Sequence, residues 1–346
     1  MSLSRRITGV ACVAAMAVSL SACGGSSKKK TPPPSSTAPV TTPAPSTSSA
    51  APPAPAVKSV NPFTGLATNA HKVVAVKIDD TGNGRPQVNV DKADIVYIEE
   101  VEGGLTRLLA VYNTVLPTVE AVRSTRAGDP EILAQYGPIA YVASGGSHNP
   151  LAVLDRSNLR TSINDRGGPG FQRDGSRPAP YNLRANLATI GARLKGATAK
   201  NIGFTFSATI PNRPFGPGAK LRTQVGGTPV QFNWNAQTHR YVRLIGGAVQ
   251  HTAAGTTIAT PNVIVQFCKV TVYNKDRDVL GNPNMYTHTV GTGKVMVYRN
   301  GKVISGTWSR PAAKDGTTLK DRHGKAIPLS PGGAWVVLVA TNAPLH

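Results

Sequence analysis

The stretch DIVYIEEVEGGLTRLLAVYN, residues Asp94–Asn113, has two apolar runs with a glycine pair between them. The runs have the composition of β-strands, and Gly103-Gly104 predicts a β-hairpin with a two-residue turn. With that turn, Glu100 lies opposite Arg107 across the hairpin. The carboxylates beside the turn therefore form either a solvated rim or the wall of a site.

The amino terminus has the parts of a bacterial lipoprotein signal in the right order. A basic start precedes the uncharged run Ile7–Leu20, which is too short to span a bilayer comfortably. The segment Leu20-Ser21-Ala22-Cys23 resembles a lipobox, whose cysteine accepts a diacylglycerol. We predict a signal peptide over residues 1–22 and a lipid anchor on Cys23, so that the membrane is a partner through the lipid. An ordinary signal peptide is the alternative, and Arg5-Arg6 leaves the export route, Sec or twin-arginine, open.

Residues 23–59 have the composition of a linker. From Gly24 to Ala56 almost every residue is Gly, Ser, Thr, Ala or Pro, and Lys28-Lys29-Lys30 supplies the only charges. Such a segment cannot bury enough apolar surface to fold, and its prolines favour an extended spacer. We predict a folded part held off the outer face of the cytoplasmic membrane.

The chain is strongly basic, with 38 Lys and Arg residues against 17 Asp and Glu and a formal net charge of +21. Every acidic residue lies after Asn61 and only six basic residues precede it, so much of the excess belongs to the folded part. A positive surface favours anionic partners. For an exported protein we predict an anionic cell-wall polymer or envelope proteins as partners, and no nucleic acid. The sequence has no Cys/His cluster with zinc spacing, and we predict no metal and no cofactor.

Patterning predicts an α+β fold in two domains. Strand-like runs such as Val73–Ile78 alternate with helical segments over residues 60–205, which is typical of an α/β domain with a mixed sheet and helices. No helix is signalled after about Gly196, and Asn300-Gly301 predicts a hairpin. We therefore expect an N-terminal α/β domain over residues 60–205 and a β-rich C-terminal domain over residues 206–346.

Two arginines stand at the end of a short strand. Val119–Val122 leads into Arg123-Ser124-Thr125-Arg126, and the planar fork of each guanidinium suits a carboxylate or a phosphate. Asp129-Pro130 then predicts the start of a helix. We place Arg123, Ser124 and Arg126 in a candidate ligand-binding site with the charged side chains of the hairpin, which are Glu99, Glu100, Glu102 and Arg107.

A glycine-rich loop follows the next strand. Pro138–Ala143 leads into the loop, and a helix is predicted to begin near Leu151. A strand, a Gly-rich loop and a helix N-terminus can bind an anion through free N–H groups, although a plain turn has the same pattern. The long irregular connection Arg160–Pro180 adds one more basic side chain. The candidate site therefore also includes Ser144, Gly145, Gly146, Ser147, His148 and Arg177.

These segments together resemble the YerB-like lipoproteins, a family of exported bacterial proteins without a settled function. The matching motifs keep their order along the chain: NPFTGL (61–66), ADIVYIEEVEGGLTR (93–107), VRSTR (122–126), GGS (145–147), RPAPYN (177–182), NVIVQ (262–266), GTGKVMVYRNGKVISGTW (291–308) and PGGAW (331–335). The resemblance implies an α/β domain and a β-rich domain, and it implies no catalytic residues. Tyr181 stands where relatives tend to have His, so a mechanism that needs that imidazole would fail here.

Two classes of function are open. The first is a membrane-anchored binding or scaffolding module for an envelope ligand or a partner protein, with a structural ion-pair network between the domains as its simplest form. The second is a cell-wall hydrolase or transferase that uses the glutamates beside Arg123 and Arg126, or Ser124 or Ser147 as nucleophile. Arginines keep nearby carboxylates ionised, which suits a base and not a general acid. We therefore favour binding and assign no catalytic residue.

Overall fold

The computed structural model describes residues 60–68, 70–210, 212, 215–278 and 280–346. The predicted signal peptide, the predicted lipid anchor on Cys23 and the whole linker, residues 23–59, lie outside those ranges. Within them, no helix has both the length and the apolar character that crossing a membrane requires.

The first part of the described chain contains eight strands and three short α-helices. They are β1 (Val74–Asp79), β2 (Ile95–Glu100), β3 (Thr106–Tyr112), β4 (Thr118–Glu120), α1 (Asp129–Ala134), β5 (Ala140–Ala143), α2 (His148–Asp155), β6 (Arg160–Ile163), β7 (Phe171–Arg173), β8 (Leu183–Asn186) and α3 (Leu187–Leu194).

The remaining strands follow without a further α-helix among the described residues. They are β9 (Gly216–Pro217), β10 (Lys220–Val225), β11 (Thr228–Asn235), β12 (Arg240–Ile245), β13 (Ala248–Val249), β14 (Ala259–Thr260), β15 (Asn262–Cys268), β16 (Val270–Arg277), β17 (Pro283–Thr287), β18 (Gly291–Arg299), β19 (Lys302–Arg310), β20 (Thr318–Asp321) and β21 (Ala334–Ala340).

One sheet of eleven strands contains elements from both ends of the described chain. Its order is β20-β19-β18-β15-β21-β2-β3-β1-β5-β6, and β9 pairs with β19. The last strand of the chain, β21, lies in the middle and is parallel to both of its neighbours, β2 and β15. Its sequence AWVVLVA is apolar throughout because both of its faces are buried.

Apolar layers cover both faces of this sheet. On one face, which we call the α1 face, Ile132 and Tyr136 from α1 and the turn after it pack in one core with Tyr97. On the opposite face, Ile190 of α3 and Phe232 of β11 belong to a second core. Strand β11 is part of a smaller five-stranded sheet formed by β10–β14. The central sheet is therefore the layer on which both cores are built.

The predicted fold class is wrong. The described chain is largely β, and its three helices are only six to eight residues long. Over so few residues, helical periodicity does not separate a helix from a short strand. Local patterning also does not encode the pairing of β2 with β21. Because of that pairing, one sheet contains strands from both sides of position 205. The domain boundary between residues 205 and 206 stays a prediction.

The predicted hairpins are both present, but one has a different register. Asn300 and Gly301 form the two-residue turn between β18 and β19, and both have positive φ. Between β2 and β3 the loop has three residues, Glu102–Gly104, because both glycines adopt positive φ and extend the turn. Glu99 therefore faces Arg107 and Glu100 faces Thr106. The predicted pairing of Glu100 with Arg107 is wrong by one residue, which moves each glutamate to the other face of the sheet.

A buried ion pair connects the smaller sheet to the end of β1. Arg243 Nη1 and Nη2 donate to Asp80 Oδ1 and Oδ2 at 2.9 and 2.6 Å. Thr106 Oγ1 donates to the same carboxylate at 2.8 Å, and the Arg243 guanidinium lies 5.0 Å from the ring centroid of Trp335. Strands β1, β3, β12 and β21 meet at this carboxylate and this ring, so the pair fixes their relative positions.

Candidate functional site

The segment Val122–Arg126 fills a gap between two strands that diverge. Strands β1 and β5 pair in parallel over three residues only. Beyond that point Arg123 N donates to Lys77 O at 2.9 Å, and Ser144 N donates to Arg123 O at 2.9 Å. The side chains of Arg123 and Arg126 thus lie at the carboxyl ends of β1 and β5. In open sheets with parallel strands, ligands bind in crevices of this kind.

A cavity of about 570 Å³ opens at this place. Its charged lining consists of four arginines, Arg107, Arg123, Arg126 and Arg277, and three carboxylates, Asp79, Glu102 and Asp278. The cavity therefore has an excess of one positive charge at its surface, and the pairing of these seven groups decides where that charge lies.

Two of the arginines are paired with carboxylates. Arg123 Nε lies 3.0 Å from Asp79 Oδ2. Arg126 forms a bidentate pair with Glu102, in which Nη2 donates to Oε2 at 2.5 Å. Asp278 is occupied differently, since its Oδ1 accepts the backbone N–H groups of the turn that follows it. Each cavity carboxylate is thus already held by a donor of the protein.

Arg107 has no such partner. Its side chain is 8% exposed, and its Nη1 donates to the backbone oxygen of Ser124 at 3.3 Å. Across the described ranges no carboxylate lies within ion-pair distance of it. Burial lowers the pKa of Arg107 to about 9; the positive charge of Arg126 adds to this effect, and the charge of Glu102 opposes it. At pH 7 the guanidinium is therefore charged, and it has no ion-pair partner of its own among the described residues.

A buried cluster beside the cavity explains why Arg107 is unpaired. Lys77 is fully buried on the α1 face, and its ammonium contacts both Glu99 and Asp129, the latter at 2.6 Å. Asp129 also accepts hydrogen bonds from Tyr141 Oη at 2.6 Å and from the backbone N–H of Arg126 at 2.8 Å. Glu99 is the residue directly opposite Arg107, but its carboxylate is bound to Lys77.

Burial lowers the pKa of Lys77 to about 8, and the charge of Asp129 acts in the opposite direction. The ammonium is therefore charged at pH 7 and balances part of the charge of its two carboxylate partners. Since a buried carboxylate without a cation is costly, the cluster depends on Lys77.

The structure brings one group of the predicted site residues together at the cavity. These residues are Glu102, Arg107, Arg123, Ser124, Arg126, Gly146 and Ser147. The backbone at Gly146 passes so close to the side chains of Thr125 and Leu151 that a Cβ there would clash, which is why the loop needs glycine at this point.

The three glutamates do not share one surface. Glu102 lines the cavity, Glu99 is bound to Lys77, and Glu100 points to the opposite face of the sheet, beside Gly226. Burial raises the pKa of Glu100. The one-residue change of register is the reason, because it exchanges the faces of Glu99 and Glu100.

The remaining predicted residues surround the cavity without lining it. Ser144 Oγ lies 3.4 Å from Ser124 Oγ, and Gly145 packs against Asp165. His148 is exposed at the first position of α2. Arg177 donates to Pro86 O at 2.6 Å and lies 3.4 Å from Glu120.

Several residues in the cavity or in the buried cluster beside it were missed by the sequence analysis. Lys77 gave one usable signal, since a lysine inside the otherwise apolar run VAVKI indicates a buried, paired charge. Arg277 and Asn284 come from the hairpin β16–β17, far along the chain, and nothing local marks them. Tyr181 also lines the cavity, and its ring centroid lies 5.1 Å from the Arg123 guanidinium.

The arrangement favours binding an anion over acid–base chemistry. Asp79 and Glu102 are bound to guanidinium groups, and Ser147 Oγ donates to Asp276. Among the described residues, no three His, Cys, Asp or Glu side chains are grouped so that they could hold a metal ion. A free guanidinium fork, by contrast, binds a carboxylate or a phosphate through two parallel hydrogen bonds.

Two family models match the chain. Residues 63–201 match the "Protein of unknown function (DUF3048) N-terminal domain" and residues 220–336 match the "Protein of unknown function (DUF3048) C-terminal domain". The chain is also 26% identical, over 301 residues, to the candidate lipoprotein YerB of Bacillus subtilis (strain 168). That alignment covers 82% of this chain and 87% of the relative.

A solved structure has the same fold. The crystal structure of the YerB protein from Bacillus subtilis superposes with a TM-score of 0.69 and 22% sequence identity. The superposition covers 84% of this chain and 100% of that chain. The resemblance stated from the motifs is thereby confirmed.

Substituting Lys77 by Met should lower the free energy of unfolding by about 3–5 kcal/mol, because Glu99 and Asp129 would be left buried without a cation. The matched control is Lys92→Met, since Lys92 is half exposed and its pair with Asp91 should contribute at most about 1 kcal/mol. Urea denaturation followed by circular dichroism measures both. Equal effects of the two substitutions would contradict the role given to Lys77.

Proposed function

The chain belongs to the YerB-like family of bacterial proteins, and from that premise we propose that it is an exported, membrane-anchored binding module for an anionic ligand of the cell envelope. The folded part would hold the ligand in the arginine-lined cavity, and the linker would give it reach from the outer face of the cytoplasmic membrane.

The anchor is supported by the sequence and by the relative. Leu20-Ser21-Ala22-Cys23 follows a basic start and a short apolar run, as a lipobox does. The similar Bacillus subtilis protein is named as a candidate lipoprotein. A diacylglycerol on Cys23 would bury its methylene groups in the membrane at about 0.8 kcal/mol each, and Lys28-Lys29-Lys30 would lie against anionic headgroups.

The binding role rests on one observation, which is that the guanidinium of Arg107 has no ion-pair partner among the described residues. It is a nearly buried guanidinium at a cavity wall, and none of the described carboxylates lies within ion-pair distance. Keeping such a charge out of water is costly unless a counter-ion offsets it. An anionic ligand would supply that counter-ion, whereas a purely structural network would have paired every charge within the protein.

The hydrolase or transferase alternative has less support. It requires glutamates that converge on one substrate, but Glu99, Glu100 and Glu102 lie in three different surroundings. A serine nucleophile would need a base, and Ser124 Oγ has only Ser144 Oγ as a side-chain partner within the described ranges. Ser147 Oγ donates to Asp276, but that carboxylate also accepts from Asn284 Nδ2, and no histidine side chain is hydrogen-bonded to this serine within those ranges. We therefore propose binding without catalysis.

Lipid anchoring through Cys23 predicts that replacing this cysteine releases the chain from the membrane. In the Cys23→Ala variant the chain should leave the membrane fraction, because the residue that carries the lipid is absent. Fractionation with a Triton X-114 phase separation measures this, and Cys268→Ala is the matched control because that thiol is buried within the fold. A Cys23→Ala variant that stays in the detergent phase would contradict lipid anchoring.

The cavity predicts loss of binding on substitution of Arg107. Purified full-length chain is sedimented with cell-wall sacculi of its own organism over a series of salt concentrations. Arg107→Gln should weaken binding at least tenfold, since truncating one partner of a buried charge pair costs about 2–5 kcal/mol. Arg166→Gln is the control, because it removes an exposed guanidinium that pairs with Asp155 outside the cavity.

Thermal unfolding of both variants shows whether each is folded. Binding that resists high salt, or that falls equally in both variants, would overturn the proposed site. Soluble glycan fragments released from the sacculi would overturn the proposal of binding without catalysis.

A further inference from the structure

An amide at the cavity wall has one unused acceptor. Asn284 of β17 is 2% exposed and lines the cavity. Its Nδ2 donates to Asp276 Oδ2 at 2.5 Å, and because a carboxylate can only accept, this bond fixes which end of the amide is the oxygen. Asn284 Oδ1 has no hydrogen-bond partner among the described residues. A buried acceptor without a donor is uncommon and calls for an explanation.

We propose that the cavity binds the carboxy-terminal end of a peptide, with the terminal carboxylate on Arg107 and the last amide N–H directed to Asn284 Oδ1. This inference rests on the proposed anion-binding function and specifies its ligand class. Three features of the cavity support this proposal: its excess positive charge, the unpaired acceptor Asn284 Oδ1 and its apolar wall.

The charge of the cavity fits a ligand with one negative charge. Arg123 and Arg126 are matched by Asp79 and Glu102, and the exposed Arg277 is offset in charge by Asp278, so that the nearly buried Arg107 supplies the excess positive charge. A dianionic phosphate monoester would bring two negative charges to an excess of one positive charge. A carboxylate brings one, and its planar pair of oxygens matches the fork of an arginine.

The unpaired Asn284 Oδ1 favours a peptide over a phosphodiester, the other common monoanion of the envelope. A phosphodiester also carries one charge, but the groups next to its phosphorus are ester oxygens, which cannot donate. In a peptide, the terminal carboxylate and the last amide N–H are separated by a single Cα. A peptide end therefore brings an anion and a donor together, as Arg107 and Asn284 require.

Apolar side chains form the rest of the wall. Leu105 and Leu280 line the cavity and are 49% and 83% exposed, and the ring of Tyr181 lies beside Arg123. Exposed leucines at a pocket edge gain from contact with an apolar group. The last residue of the peptide is therefore expected to carry a small apolar side chain.

Four kinds of small probe, one of them in two stereochemical forms, test this inference on the full-length chain. Isothermal titration calorimetry compares N-acetyl-alanyl-alanine, in its L,L and D,D forms, with its carboxy-terminal amide, with N-acetyl-alanyl-lactate and with diethyl phosphate. The amide removes the negative charge, and the lactate ester replaces only the amide N–H by oxygen. Both should bind at least tenfold more weakly than the better acid, because each leaves one cavity group unpaired.

A variant pair locates the site. Arg107→Lys keeps the positive charge but lacks the planar fork, and it should weaken binding of the acid at least fivefold. Arg166→Gln should leave the affinity unchanged, because that residue lies outside the cavity. Since the substitutions in the ligand leave the protein intact, the inference stays testable even if an Arg107 variant is unstable.

The outcomes separate this inference from the function on which it rests. Acid and amide of equal affinity, or a lactate ester that binds as well as the acid, would overturn the peptide ligand. Binding of diethyl phosphate that depends on Arg107, with no binding of either acid, would overturn the peptide ligand and leave the anion site standing. Sacculus binding that does not depend on Arg107 would overturn both.

Discussion

Lys77 binds two carboxylates that come from different parts of the fold, and the charges around the cavity follow from that contact. Glu99 lies on β2 and Asp129 at the start of α1, and both contact the fully buried ammonium. A burial this complete is tolerated only because the charges are paired and Asp129 has further donors. Glu99 is thereby withheld from Arg107, the residue directly across the hairpin. The cavity keeps one uncompensated positive charge as a consequence.

The architecture gives this contact its rigidity. Strand β21 lies between β2 and β15 in the middle of the sheet, so that the last strand of the chain holds the hairpin in place. The Arg243–Asp80 pair fixes the end of β1 from the opposite face. Hairpin β16–β17 then contributes Arg277 and Asn284 to the cavity that the ends of β1 and β5 leave open. Residues from distant parts of the sequence meet there because the sheet is continuous.

The sequence was a better guide to residue types than to their arrangement. The hairpins could be predicted because Gly-Gly and Asn-Gly mark turns. Arg123 and Arg126 could be predicted because arginines at a strand end suit anions, and Arg107 because it lies beside the predicted turn. The register of the first hairpin could not be predicted, because the sequence around Gly103-Gly104 is compatible with a loop of two residues and with a loop of three. The fold class failed for a related reason: the pairing of β2 with β21 joins residues more than 200 positions apart, and short helices leave no distinct period. Asn284 could not be assigned to the cavity either, because its hairpin β16–β17 reaches the cavity only through the folded arrangement of the chain.

Crystals of the chain soaked in sodium bromide are the sharpest test of the unpaired charge on Arg107, because bromide is a monoanion with an anomalous signal. We expect an anomalous peak in contact with the Arg107 guanidinium, and Glu99 still bound to Lys77. An empty Arg107, with the carboxylate of Glu99 or Asp79 turned onto it, would refute the proposed anion site, since the cavity would then have no charge left for a ligand.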